Sequence, residues 1–266
     1  MMHNNNRCPA GTSHERDVLK RMEAVGLDEM KSVKLMSRMD TKYLLPRRRL
    51  ITVLQRAQAL GYRVLHTGDI VNGYDSVYYD TDDLYLFRIH HNRQLKRQKV
   101  RCRTYIDSGD SFFEIKNKTN KGRTNKVRMP VKDFEPATLL QCADVHSFYL
   151  DHRSLPTATL FPSLQTIFYR ITLVNPEKTE RITIDLDVNF RNLREGSEGA
   201  LTDVVILELK QDGRYVSAMQ QLLLALRIKP FHLSKYCMGI TLTYPRVKSN
   251  RFKRKLHLIH KLKQRI

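Results

Sequence analysis

KVRCRTY, residues 99–105, places a cation on every second residue: Lys99, Arg101 and Arg103 alternate with Val100, Cys102 and Thr104. Positions two apart in a strand share a face. That face is either a solvated edge, or it points with others like it into a confined space. The same alternation recurs elsewhere, in Arg38/Asp40/Lys42, Glu114/Lys116/Lys118, Lys126/Arg128, Arg181/Thr183/Asp185 and Glu208/Lys210. Aliphatic residues such as Ile182/Ile184/Leu186 and Val205/Leu207/Leu209 occupy the opposite faces. A solvated sandwich face would mix its signs and interleave Thr, Ser and Gln, whereas these faces are mostly cationic. Two like charges about 6 Å apart repel by roughly 3 kcal/mol at an effective dielectric near 20. Several such pairs would destabilise an empty barrel unless anions or water fill it, and a chain of phosphates held by Lys and Arg would neutralise the lining.

Around these strands the pattern predicts an α+β chain with about eight antiparallel strands and several packed helices. Residues 1–14 are expected to be disordered, 15–245 to form one domain, and 246–266 a basic tail of helical character. Amphipathic helices are expected within 15–36 and after Pro46, where Leu50, Val53, Leu54 and Ala57 recur at helical spacing. Strands are expected at 37–45, 74–80, 84–92, 95–105, 111–119, 125–131, 165–175, 180–190 and 203–212. Helices are expected over 133–153 and 214–228, the latter with Tyr215, Met219, Leu222, Leu223 and Leu226 as its apolar stripe.

The 47 Lys and Arg against 27 Asp and Glu give a net charge of +20. Nine of these cations, with no acid, fall in 246–266, so the first 245 residues still carry +11. Such a charge selects polyanionic partners without naming them. No stretch approaches a spanning helix and the N-terminus lacks the apolar core of a secretory signal, so a cytoplasmic protein is expected. Four scattered cysteines (Cys8, Cys102, Cys142, Cys237) form no C-x-x-C pair and read as free thiols. His90 and His91, adjacent on an expected strand, would face opposite ways and not share a metal. Residues 116–126 lack the P-loop pattern and read as a basic loop at a tunnel mouth. The tail has three candidate roles: a helix packed on the body, a contact with an anionic membrane surface or membrane partner, or a contact with product or nucleic acid.

The ordered set RMDTKYLL, YYDTDDLYLFRIHHNRQLKRQKVRCRTY, FFEIKNKTNKGR, YRITL, RITIDLD, VILELK and LSKY resembles the VTC domain of vacuolar transporter chaperone-type polyphosphate polymerases. These belong with the triphosphate tunnel metalloenzymes, also called CYTH-like proteins, and the resemblance spans roughly residues 30–245. It implies an eight-stranded antiparallel β-barrel tunnel that binds ATP and inorganic polyphosphate, with Mn2+ or Mg2+ held by a glutamate. The implied reaction moves the ATP γ-phosphoryl group to a polyphosphate chain and releases ADP. Carried onto this sequence, the catalytic cations are Lys42, Arg101, Arg103, Lys116 and Lys235. Lys99, Lys118, Lys126, Arg128, Arg170, Arg181 and Lys210 would bind substrate, and Glu208 the metal, with Asp185 and Glu114 as weaker candidates for further metal contacts. One departure matters. Hydrolases and cyclases of the superfamily open with E-x-E-x-K, and the equivalent stretch here, RMDTK, has a single acid, Asp40. That favours the polymerase branch over a two-metal triphosphatase; a non-catalytic binder of polyphosphate or nucleic acid is the remaining alternative.

Overall fold

The computed structural model describes residues 13–31, 38–155, 159–213 and 216–264. The leading segment, the Arg38 side chain, Tyr215 and Ile266 lie outside them. The elements run α1 (Ser13–Lys20), β1 (Ala24–Val25), α2 (Leu27–Lys31), β2 (Arg38–Pro46), α3 (Leu50–Ala59), β3 (Arg63–Leu65), β4 (Asn72–Asp80), α4 (Tyr85–His91), β5 (Arg97–Tyr105), β6 (Ser111–Lys118) and β7 (Thr124–Val131). After these come α5 (Ala143–His152), β8 (Phe161–Val174), β9 (Glu180–Asn192), β10 (Glu198–Leu201), β11 (Val204–Asp212), α6 (Ala218–Ala225), α7 (Lys235–Thr243) and α8 (Lys253–Gln264).

Eight strands follow one another through antiparallel ladders in the order β2-β11-β9-β8-β4-β5-β6-β7. The architecture is α+β, as the alternation predicts, but the ladder does not close into a complete barrel. The free edge of β2 is already occupied. The Phe231 N–H donates to the Lys42 carbonyl at 2.6 Å, and Tyr43 bridges to Pro230. The segment leading into α7 thus takes the hydrogen bonds that β7 would need.

The outward faces carry the aliphatic residues expected there. Ile182, Ile184, Leu186, Val205, Leu207 and Leu209 pack against Val18 and Leu19 of α1, Leu50, Val53 and Leu54 of α3, and Met219, Leu222 and Leu223 of α6. Val100 and Cys102 pack with Phe113 and Ile115 under α4 and α5. Cys102 is fully buried there, and Cys102, Cys142 and Cys237 are all free thiols. Helix α6 is shorter than its apolar stripe suggested, because Ser217 caps it: its Oγ accepts the Gln220 N–H at 2.9 Å. Among the described residues no helix is long and apolar enough to cross a membrane.

The stretch 84–92, expected as a strand, is instead helix α4. Asp80, fully buried at the end of β4, accepts the N–H groups of Thr81 and Leu86 on Oδ1 (2.8 and 2.7 Å) and that of Phe87 on Oδ2 (2.9 Å). Thr81 Oγ1 accepts the N–H of Tyr85 at 2.8 Å. These satisfy the orphan donors of a first helical turn, and Leu86, Phe87 and Ile89 are then buried from a helical face. The expected helix over 133–153 contracts to α5.

Strand β9 carries a bulge: Ile167 pairs with Asn189 but Tyr169 with Leu186, and Asp187 within the extra residues has φ of 48°. The inserted residue inverts the alternation. Before it, Arg181 and Asp185 face inward; after it, Val188 and Phe190 do so and seat α7. Helix α7 approaches closely enough that a Cβ on Gly239 would lie 2.4 Å from Leu164 Cδ2 and 2.6 Å from Phe190 Cδ1. Gly239→Ala gains roughly 1 kcal/mol of helix propensity but overpacks two buried side chains, so net destabilisation of about 1–3 kcal/mol is expected. Urea unfolding should show a lower midpoint at unchanged slope; a midpoint at or above the parent's would refute this seating of α7.

Candidate functional site

The concave side of the eight strands encloses a cavity of about 320 Å3. Each strand contributes from its inward positions: Asp40 and Lys42 from β2, Glu208 and Lys210 from β11, Arg181 and Asp185 from β9, and Arg170 from β8. Tyr78 comes from β4, Lys99, Arg101 and Arg103 from β5, Glu114 and Lys116 from β6, and Lys126 from β7; Ser234 and Lys235 enter from the start of α7. Eleven of the thirteen residues expected from sequence therefore meet around one cavity. Lys118 lines a second cavity that continues outward from it. Arg128 lines neither: although in register with Glu114, its exposed guanidinium sits 4.6 Å from the centre of the Phe112 ring.

Ten cations and four carboxylates share this lining, an excess of six positive charges. Three of the carboxylates each hold two cations. Glu208 Oε1 accepts from Lys42 at 2.9 Å and lies 2.7 Å from Lys210 Nζ. Glu114 pairs with Arg101 (Nε to Oε2, 2.7 Å) and with Lys126. Asp185 receives Arg170 on both oxygens, at 2.6 and 3.0 Å, and also pairs with Lys235. The cross-strand register explains the choice of partners, since Glu208 stands opposite Lys42, Glu114 opposite Arg101 and Asp185 opposite Arg170.

The charges perturb one another accordingly. Burial would raise the Glu114 and Asp185 carboxyls, but Arg101, Arg103 and Lys126 around the first, and Arg170 and Lys235 around the second, hold both at about 2. Against the same opposition from burial, Lys210 and Lys42 keep Glu208 far below the usual carboxylate range. Arg103 is the exception among the arginines. It has no carboxylate within ion-pair distance among the described residues, donating instead to Ser76 Oγ at 3.2 Å and lying over Tyr74 and Phe168. Burial, then repulsion from Arg101 and Arg170, bring it down to about 10. Removal from bulk water and the neighbouring Lys99 and Lys42 charges lower Lys116 to about 8.

Sequence reasoning missed Tyr78. Its hydroxyl accepts from Arg101 at 3.1 Å and its ring stacks on Tyr236. Burial opposes its ionisation, yet Arg101, Lys99, Arg103 and Lys235 bring the phenol down to about 8. The available signal was the hydroxyl alternation Tyr74, Ser76, Tyr78 on one face of YDSVYYD, which reads equally well as aromatic core. His90 and His91, expected on a strand, lie on helix α4, which places both on the outer cavity together with Arg93.

Among the described residues no cluster of three or more His, Cys, Asp or Glu side chains could hold a metal. Glu208 does offer a donor: both lysines take Oε1, and Oε2 has no partner among the described residues. A hard divalent cation held by one carboxylate oxygen, with phosphate and water completing its shell, fits this donor set.

Two outcomes are expected. Asp185→Asn leaves Arg170 and Lys235 buried without a counter-charge, so stability should fall by about 3–5 kcal/mol and recover in part when triphosphate is added. Loss of stability without rescue would mean that the cavity does not accept the anion. Because folding lowers the Asp185 carboxyl, its contribution is complete above the ordinary value near 3.9 and is lost as pH falls toward about 2. Ultraviolet titration should also find one phenol ionising near 8 that is absent in Tyr78→Phe and moves upward with triphosphate bound. Identical titration curves for parent and variant would contradict the placement of Tyr78.

None of the curated proteins matches this chain in sequence. Among solved structures it is similar to an adenylate cyclase candidate from Bacillus halodurans, at 15% identity and a TM-score of 0.47, covering 82% of this chain and 100% of the other. It is also similar to a Hippeastrum protein described as having a dominant triphosphatase activity, at 12% identity and a TM-score of 0.47, covering 77% and 95% respectively. The family model of the VTC domain matches residues 37–244. The chain belongs to the VTC domain family.

Proposed function

We propose that this protein is a metal-dependent polyphosphate polymerase acting on ATP and inorganic polyphosphate. The observation that carries the reading is the convergence of ten cations, six in excess of their carboxylates, on one cavity inside a VTC domain. Phosphoryl transfer asks little covalent chemistry of a protein; it requires alignment and stabilisation of charge on the moving group. A terminal phosphate oxygen of the chain forms the new bond to the γ-phosphorus, the bond from that phosphorus to the β,γ-bridging oxygen breaks, and ADP leaves with the electron pair. Arg101, Arg103, Arg170 and Lys235, which line the inner cavity and not the outer one, are preorganised donors to non-bridging oxygens. Lys42, Lys99 and Lys116 hold phosphates toward the outer side. Glu208 would hold the Mn2+ or Mg2+, which supplies charge neutralisation on the phosphates when bound.

The internal ion pairs bear on how substrate enters. Phosphates exchange with carboxylates as partners of cations that are already oriented, so little reorganisation is required on binding. A second reading, hydrolysis of triphosphate, is favoured by one observation: Lys210 lies 3.9 Å from Asp40 and 2.7 Å from Glu208, so two carboxylates flank the same lysine and both face the cavity.

Product sizing separates the two. With ATP and Mn2+ or Mg2+, the purified protein should release ADP and accumulate chains longer than triphosphate, and Glu208→Gln should lower the rate by roughly 10²–10³. Release of orthophosphate alone would replace the polymerase by the triphosphatase. Retention of polyphosphate without turnover in any metal would leave a binding protein.

A further inference from the structure

Beyond the inner cavity lies the larger one, of about 770 Å3, sharing Asp40, Lys42, Lys99, Lys116 and Ser234 with it. Its own wall combines the outer ends of two strands with segments outside the ladder: Arg97 and Lys118 at the ends of β5 and β6, Arg93 after α4, Arg251 just before the basic C-terminal helix α8, and Lys255 in its first turn. We infer that this outer cavity is a second polyanion site, which holds the distal part of an inorganic polyphosphate chain whose end occupies the inner cavity. The inference rests on the phosphate-chain reading of the inner cavity and adds to it a chain-retaining site walled by α4 and α8.

The two cavities are neutralised differently. Inside, paired carboxylates answer most cations; outside, Asp40 is the single carboxylate in the lining. Arg93, Arg97, Lys118 and Arg251 make no side-chain hydrogen bond or ion pair among the described residues. Arg97 is the telling member, because its Nε is buried and has no hydrogen-bond partner, and a buried donor without an acceptor is costly unless a ligand supplies one. Burial and the field of Lys99 and Arg97 push the His90 imidazole down to about 2, as expected where positive charge is concentrated.

Helix α8 is held there by specific contacts. His91 Nε2 lies 2.8 Å from Asn250 Oδ1, Phe252 packs against Phe87 and His91, and Lys255 donates to the His232 carbonyl at 2.5 Å. Ile259 is buried against the body. Grooves for single-stranded nucleic acid pair their cations with open aromatic faces. In this lining Phe252 is the one Phe or Tyr, and it is 8% exposed. The chemistry therefore favours a bare phosphate chain.

The test compares the full chain with Arg97→Gln/Arg251→Gln/Lys255→Gln, and with Arg251→Gln/Lys255→Gln alone should the triple variant unfold. Calorimetry measures triphosphate and long-chain polyphosphate in parallel. Triphosphate affinity should stay within about twofold while long-chain affinity falls at least roughly tenfold, and product chains made from ATP should become shorter. Unchanged long-chain affinity, or equal losses for both ligands, would overturn the outer site. Single-stranded DNA that competes as well as polyphosphate at equal charge would overturn the choice of ligand. Failure of the parent itself to bind triphosphate would instead refute the reading of the inner cavity.

Discussion

Like charges brought together in a space of about 320 Å3 are the constraint around which this molecule is arranged. Ten cations could not face one another there without compensation, and the compensation is built into the ladders. Three carboxylates, each placed by register opposite one cation and within reach of another, act as internal counter-ions. Glu114 and Asp185 are 2% exposed, so loss of either leaves buried positive charge behind. The remaining excess leaves the cavity net positive. A fully neutralised lining would carry no net field for an anion, and an uncompensated one would oppose folding.

The outward half of each strand supplies the stability that this arrangement consumes. Ile182, Ile184 and Leu186 alternate with Arg181, Thr183 and Asp185, so one strand serves both the apolar layer under the helices and the charged interior. This two-sided coding made most of the fold legible. KVRCRTY, RITID and VILELK announce their faces residue by residue, and Cys102 between two arginines had to face the outer core, as it does.

What was not legible depended on partners distant in sequence. The stretch 84–92 satisfies a two-residue period and a helical one equally; the carboxylate of Asp80 decides between them by capturing the N–H groups of Leu86 and Phe87. Closure of the barrel could not be judged from the strands, because the competitor for the β2 edge is the segment at Pro230 and Phe231. Tyr78 looked like core because its role arises only when Arg101 and Lys235 surround it. Nor could the packing of the basic tail be read from sequence, because it rests on contacts of Asn250 and Phe252 with His91 and Phe87 of α4.

The bulge at Asp187 has a metric consequence. Because the inserted residue switches the inner face of β9 from charged to apolar, its position along the strand marks where the charged lining ends and the seat of α7 begins. Moving that insertion by two residues would preserve the alternation on either side while shifting the boundary by roughly 7 Å. The strand therefore carries a ruler: the length of the charged lining is written as the location of one extra residue, separately from the identity of any residue within it.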